Sequence, residues 1–169
     1  MKTTTLFCMA VSFLALGQLA GGQTPSVTSK LTASEVEIVA GKTILRPADQ
    51  AKPGDTVEYR ATYTNSGNSA IKDLVAIVPV PVGTALVANS ASPAANEAST
   101  DGKNFSRLPL MRTVHGADGK DRQEAVPLTE YRALRWSVGG LDSKATATVG
   151  LRVLINPTFI SPPVVAATH

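Results

Sequence analysis

The sequence predicts an all-β protein, an antiparallel immunoglobulin-like β-sandwich of about seven strands. Three observations predict it. Several segments alternate apolar and polar residues with a period of two, clusters of Gly, Pro, Asn and Asp separate them, and no stretch spaces apolar residues by three and four over three turns. The composition agrees: of 169 residues 43% are apolar and 17% charged, with 13 Gly and 11 Pro, as in an ordinary one-core domain. With 16 Lys and Arg against 13 Asp and Glu, the formal net charge of +3 lacks the dense basic face that nucleic acid demands.

Residues 1–22 read as a secretory signal peptide. Lys2 supplies the positive start, Leu6 to Leu16 the apolar run, and Ala20-Gly21-Gly22 the small residues of a cleavage site, so the mature chain is expected to begin at Gln23. The run is shorter than the roughly 20 apolar residues that cross a bilayer, and the mature chain is expected to carry no membrane span. Cys8 is the one cysteine and leaves with the signal, which excludes disulfides, thiolate metal sites and a Cys nucleophile. The expected location is the periplasm, the cell surface or the medium.

Residues 23–34 are expected to form an extended N-terminal segment ahead of a sandwich over 35–155. Val36 and Ile38 alternate with Glu35 and Glu37 in a first strand. Asp55 to Asn65 is the clearest strand, with Val57, Tyr59, Ala61 and Tyr63 on one face and Glu58, Arg60, Thr62 and Thr64 on the other. Ile71 to Val80 is almost continuously apolar and β-branched, which predicts a strand covered on both faces. Thr84 to Ala88 is a short strand. From Ser90 to Pro127 the pattern fades, and Phe105 to Val114 is read as one weak strand within a long loop region. Leu134, Trp136 and Val138 alternate with Arg135 and Ser137. Ala147, Val149, Leu151, Val153 and Ile155 alternate with Thr146, Thr148 and Arg152, and Gly139 to Ser143 is expected to join these two runs as a hairpin. The predicted core is Tyr59, Tyr63, Leu134, Trp136, Val149, Leu151 and Val153. Residues 156–169 form a tail whose Pro157, Pro162 and Pro163 predict extended chain.

Pro53-Gly54-Asp55-Thr56-Val57-Glu58-Tyr59, Tyr63-Thr64-Asn65-Ser66-Gly67-Asn68, Ile71-Lys72-Asp73-Leu74-Val75 and Pro79-Val80-Pro81-Val82-Gly83-Thr84 follow one another in order. Leu134-Arg135-Trp136-Ser137-Val138-Gly139-Gly140-Leu141 comes later. Together, over about residues 45 to 155, they resemble the conserved-repeat, immunoglobulin-like family called domain of unknown function 11. The resemblance implies a surface or cell-envelope module, often found in tandem, and brings no catalytic residues. The chain departs from the family at Val78-Pro79, where an acidic residue usually precedes the turn, so no site built on that carboxylate carries over.

The residues read alone offer little chemistry, and no catalytic, cofactor-binding or metal-binding residue is assigned. His115 is expected in a solvated loop and His169 ends the chain, with no nucleophile-elbow motif to complete a hydrolase triad. Asp118, Asp121 and Glu124 have oxygen ligands at loop spacing for a weak calcium site, but Lys120 and Arg122 interleave them, and Asp101-Gly102-Lys103-Asn104 is a weaker candidate. Arg107, Arg112, Arg122, Arg132 and Arg135 bias the second half toward an acidic partner, although outward strand positions explain them more simply. Tyr59 and Tyr63 could stack on a sugar, but their spacing favours the core. Ser26 to Thr32 and Phe159 to Val165 could each add to a neighbour's sheet edge, against the plainer reading of a linker and a frayed tail.

The expected function is therefore an exported, non-enzymatic β-sandwich with a structural, adhesive or interaction role at the cell envelope. Its expected partners are an envelope protein or polysaccharide, with self-association possible. The alternatives are a subunit of a surface polymer assembled by strand exchange, and a carbohydrate-binding accessory domain or hydrolase.

Overall fold

A computed structural model describes residues 27–157. Eleven strands follow one another: β1 (Val27–Val39), β2 (Lys42–Pro47), β3 (Thr56–Asn65), β4 (Ile71–Pro79), β5 (Thr84–Leu86), β6 (Glu97–Ser99), β7 (Ser106–Arg107), β8 (Met111–His115), β9 (Asp121–Ala125), β10 (Ala133–Leu141) and β11 (Thr146–Ile155). The helical content of the described residues is two single 3₁₀ turns, Ala48–Gln50 and Leu128–Glu130. A larger sheet of order β2-β1-β3-β11-β5 faces a smaller one of order β4-β10-β6-β7, and β8-β9 form a separate ribbon. The result is an antiparallel β-sandwich.

The alternation of β3 and β11 places Val57, Ala61, Val149, Leu151 and Val153 in the core, opposite Ala76 and Val78 of β4 and Leu134 and Trp136 of β10. Trp136 fills the space between the sheets, and its indole N–H donates to the Pro93 carbonyl at 2.7 Å, so the ring is buried without an unpaired donor. Of the predicted core, Tyr59 and Tyr63 are only half-buried and pack against its margin.

The structure corrects four expectations. The segment expected to lie outside the sandwich over 23–34 is in the sheet from Val27 onward, where Val27 to Glu35 pair with Asn65 to Val57 of β3. The tail Ser26 to Thr32 is thus already used, from Val27, within its own chain. Its Ser and Thr residues gave a polar reading because β1 lies at the rim, where neither face is buried.

Ile71 to Pro79 is covered on one face only: on β4, an edge strand, Ala76 and Val78 point into the sandwich while Val75 and Ile77 point outward and are 49% and 44% exposed. The runs around Trp136 and Val149 do not form a hairpin. β10 pairs with β4 and β6, whereas β11 pairs with β3 and β5, so the Gly139 to Ser143 connection crosses between sheets. Asn65 explains the crossing. Fully buried, its amide donates to the carbonyls of Ser69, Leu141 and Asp142 at 2.8, 3.1 and 3.0 Å, while its side-chain oxygen accepts from Gly67 N–H. Gly139, at φ 82°, lies where the β10–β4 register shifts.

Finally, Phe105 to Val114 is two strands, β7 and β8, and the loop region around it holds β6 and β9 as well. The signal peptide at 1–22 and the Phe159 to Val165 segment lie outside the described residues. Of the tail, Asn156 is tied down by its N–H bond to the Gly83 carbonyl at 2.9 Å.

Candidate interaction surface

Among the described residues, four of the ten exposed large apolar side chains, Ile38, Val39, Ile44 and Leu45, gather on one element. From Val36 onward β1 has left β3 behind and pairs only with β2, forming an arm that turns at Ala40-Gly41. Both turn residues have positive φ, 49° and 76°, the signature of a two-residue type I′ hairpin. All six residues of β2 are exposed. The register puts Val36 opposite Leu45 and Ile38 opposite Thr43 on one face, and Glu35 opposite Arg46 and Glu37 opposite Ile44 on the other. The second face carries an ion pair, Arg46 Nε to Glu37 at 2.7 Å. The first carries only apolar and hydroxyl side chains, with Ile38 68% and Leu45 45% exposed.

An edge of the smaller sheet, β4, is treated differently. The Tyr63 hydroxyl of the facing sheet accepts the Ile77 N–H at 3.3 Å. Lys72 and Asp73 place exposed charges on this edge, Asp73 adopts a positive φ of 54°, and Pro79 ends it. Charge, irregular backbone and Pro are the devices that blunt an edge against further pairing.

The predicted site residues are scattered. His115 is the last residue of β8 rather than part of a loop, and its ring nitrogen pairs with the Asp121 carboxylate directly across the ribbon. The hydroxyl two residues back, Thr113, accepts from Gln123 at 2.8 Å, so it is not engaged with the imidazole.

The three acidic residues weighed for calcium have three different side-chain partners. Asp118 binds Arg122 at 2.8 Å, Asp121 binds His115, and Glu124 faces Arg112 at 3.7 Å. Asp121 and Glu124 stand an odd number of residues apart on one strand and point to opposite faces. Among the described residues no three His, Cys, Asp or Glu side chains could hold a metal ion. Asp101 is satisfied by its own turn, accepting from Ser99, Lys103 N–H and Asn104, and these donors hold its carboxyl far below the usual carboxylate range.

The arginines do not form one basic face. Arg112 makes a two-pronged pair with Glu130 at 2.9 and 3.0 Å, Arg132 donates to the Thr129 and Tyr131 carbonyls, and Arg135 binds Glu97 at 2.6 Å while lying 4.4 Å over the Phe105 ring. The Arg135 bond lowers the Glu97 pKa, with Arg107 adding a smaller attraction.

Sequence reasoning missed Glu58, which lies on the outer face of β3 yet is buried beneath Arg60 and Arg152 at 2.5 and 3.0 Å. Burial pushes its pKa up, and the two guanidinium partners together outweigh that and leave it below the ordinary Glu value. Glu58 and Arg60 line a small cleft of about 230 Å³ with Ser90, Ser92 and Gly150. Its charges are mutually satisfied. An apolar cleft of about 490 Å³, lined by Leu86, Ala91, Leu108, Leu128, Tyr131 and Leu134 among others, opens where the region after Ser90 folds back over the sheet ends. No protein-family model, curated protein or solved structure matches this chain.

Proposed function

We propose that this chain is an exported, non-enzymatic β-sandwich module with a structural or adhesive role at the cell envelope, working through the β1–β2 arm. The resemblance to the family called domain of unknown function 11 and the immunoglobulin-like strand plan belong to the same proposal. One observation carries it: Ile38 and Leu45 on one face and Val39 and Ile44 on the other stand exposed on an arm whose residues lie outside the core cluster. A soluble domain exposes single apolar residues at no consequence, but a contiguous group on a projecting edge is the property of a surface that meets a partner.

Catalytic readings have weaker support, because the titratable side chains brought together are already paired with each other. The test is binding of the purified chain to isolated envelope and to its protein and polysaccharide fractions, beside an Ile38→Thr/Leu45→Thr variant. Saturable binding that the variant loses supports the proposal. Equal binding by both forms overturns the role of the arm, and hydrolysis of a substrate panel that disappears in His115→Ala overturns the non-enzymatic reading.

A further inference from the structure

We infer that β2 is a self-complementary edge on which a second copy of this chain docks antiparallel, Leu45 facing Leu45 of the second copy across a twofold axis. The inference rests on the arm being an interaction surface and adds the occupant and the register. It begins from the hydrogen-bond phase of the hairpin. A two-residue turn makes Val39 and Lys42 the closing bonded pair, and bonded pairs recur at every second position, at Glu37–Ile44 and Glu35–Arg46. The residues between them, Thr43 and Leu45, therefore direct their N–H and C=O groups away from β1, into the open edge. Pro47, next in that series, has no N–H to offer and lies opposite Ser34 in the ladder.

Pairing about Leu45 makes the two Leu45 residues a bonded pair, and each Thr43 N–H meets the carbonyl of Pro47 of the second copy. Each Thr43–Pro47 pair keeps one of its two bonds, because Pro47 has no N–H to return to the Thr43 carbonyl. The charges select this register. The only charged residues of β2 are Lys42 and Arg46, both positive. Pairing about Ile44 would set Lys42 against Arg46 in both halves of the interface, whereas pairing about Leu45 sets each Arg46 against Ile44.

The apolar face decides likewise. Val36 and Leu45 are cross-strand neighbours, so the twofold joins them to their equivalents in one row of four, Val36–Leu45–Leu45–Val36, flanked by Ile38 on each side. Two five-stranded sheets become one continuous sheet. A six-residue edge is short for a permanent dimer, which commonly buries about 1,200–2,000 Å², so association is concentration-dependent.

The experiment uses the full chain with Cys8→Ala, which removes its one cysteine, and adds Leu45→Cys, Ile44→Cys or Val75→Cys singly. Bonded antiparallel partners lie about 5.5 Å apart between Cα atoms, within the reach of a disulfide, and residues displaced from that position lie beyond it. Mild oxidation is expected to convert Leu45→Cys to a covalent dimer at least tenfold faster than Ile44→Cys or Val75→Cys. Sedimentation of the cysteine-free chain is expected to show a monomer–dimer equilibrium that Leu45→Lys abolishes while the circular dichroism spectrum is unchanged. Equal cross-linking at all three positions, or faster cross-linking at Ile44 or Val75, overturns the register. A dimer that survives Leu45→Lys overturns the edge. A strict monomer overturns self-docking altogether, while envelope binding lost in Ile38→Thr/Leu45→Thr would still support the arm as a surface for a different partner.

Discussion

The β1–β2 arm and the β8–β9 ribbon are both two-stranded hairpins whose residues are largely solvent-exposed, yet they are built from opposite materials. The ribbon is a lattice of polar pairs: Thr113 with Gln123, His115 with Asp121, Asp118 with Arg122, and Arg112 with both Glu124 and Glu130. Its turn closes on itself through Gly116 and Lys120, with Gly119 at φ 73°. The arm has one ion pair and leaves its aliphatic side chains bare. Two-stranded ribbons are marginal in isolation. The ribbon answers that by satisfying itself, and the arm by extending a strand that the body already holds through β3. The difference teaches where to look for an interaction: in an element whose stability comes from elsewhere and whose side chains are unspent.

The comparison holds only while the body supports both hairpins, and the largest expected effect comes from removing that support. Leu151→Ala opens a cavity under a fully buried position and is expected to cost about 2–5 kcal/mol in a urea titration, with both hairpins lost in one transition. Asn65→Ala comes next. It strands the buried carbonyl of Leu141 and loosens the crossing from β10 to β11, for an expected cost of about 1–3 kcal/mol by the same measurement.

Acid acts on carboxylates of the body. Glu58, Glu97 and Asp101 all have folded-state pKa values below their ordinary ones, so they bind protons more readily when unfolded. The stability they contribute is complete above the ordinary carboxylate range near about pH 4 and is lost as pH falls through their lower folded values. The urea midpoint is expected to hold from pH 7 to 5 and to drop below 4, less steeply in Glu58→Gln.

Within the ribbon, Arg112→Ala removes a partly exposed cation and is expected to cost at most about 1 kcal/mol, with the difference shrinking in high salt. On the arm, Ile38→Thr is expected to change stability by less than about 0.5 kcal/mol, because Ile38 buries little. A loss as large as that of Asn65→Ala would mean that the arm packs on the body, and the contrast between the hairpins would fail.

How far these features were legible in the sequence follows from what each residue buries. β3, β10 and β11 were readable because Val57, Trp136, Leu151 and their neighbours alternate against solvent-facing residues. Their pairing was not readable, since Gly139 to Ser143 suits a hairpin turn and a crossing between sheets equally, and Asn65, far away in sequence, decides it. β9 was invisible: Asp121-Arg122-Gln123-Glu124-Ala125 buries nothing, and a strand that pairs without burying leaves no period to detect. β2 was missed for a related reason, because Ala40-Gly41 lacks the Asn-Gly or Asp-Gly of a typical tight hairpin. Of the surface that matters most, only Val36 and Ile38 stood out, and they were read as ordinary strand.

The hydrogen bond from Ile77 to Tyr63 discourages growth at one edge of the smaller sheet. A sheet lengthens by recruiting one strand after another, and every addition must end in an edge that can recruit again. Among the described residues one end of the larger sheet is β2, whose outward amides meet no strand, while on β4 of the smaller sheet a phenol already occupies an amide and charge and Pro guard the rest. Joining two copies through β2 would consume the recruiting edge of both at once and leave β5, a three-residue strand, at each flank of the joined sheet. By the proposed route assembly would count to two and halt, because a three-residue edge offers few bonds with which to recruit a further copy.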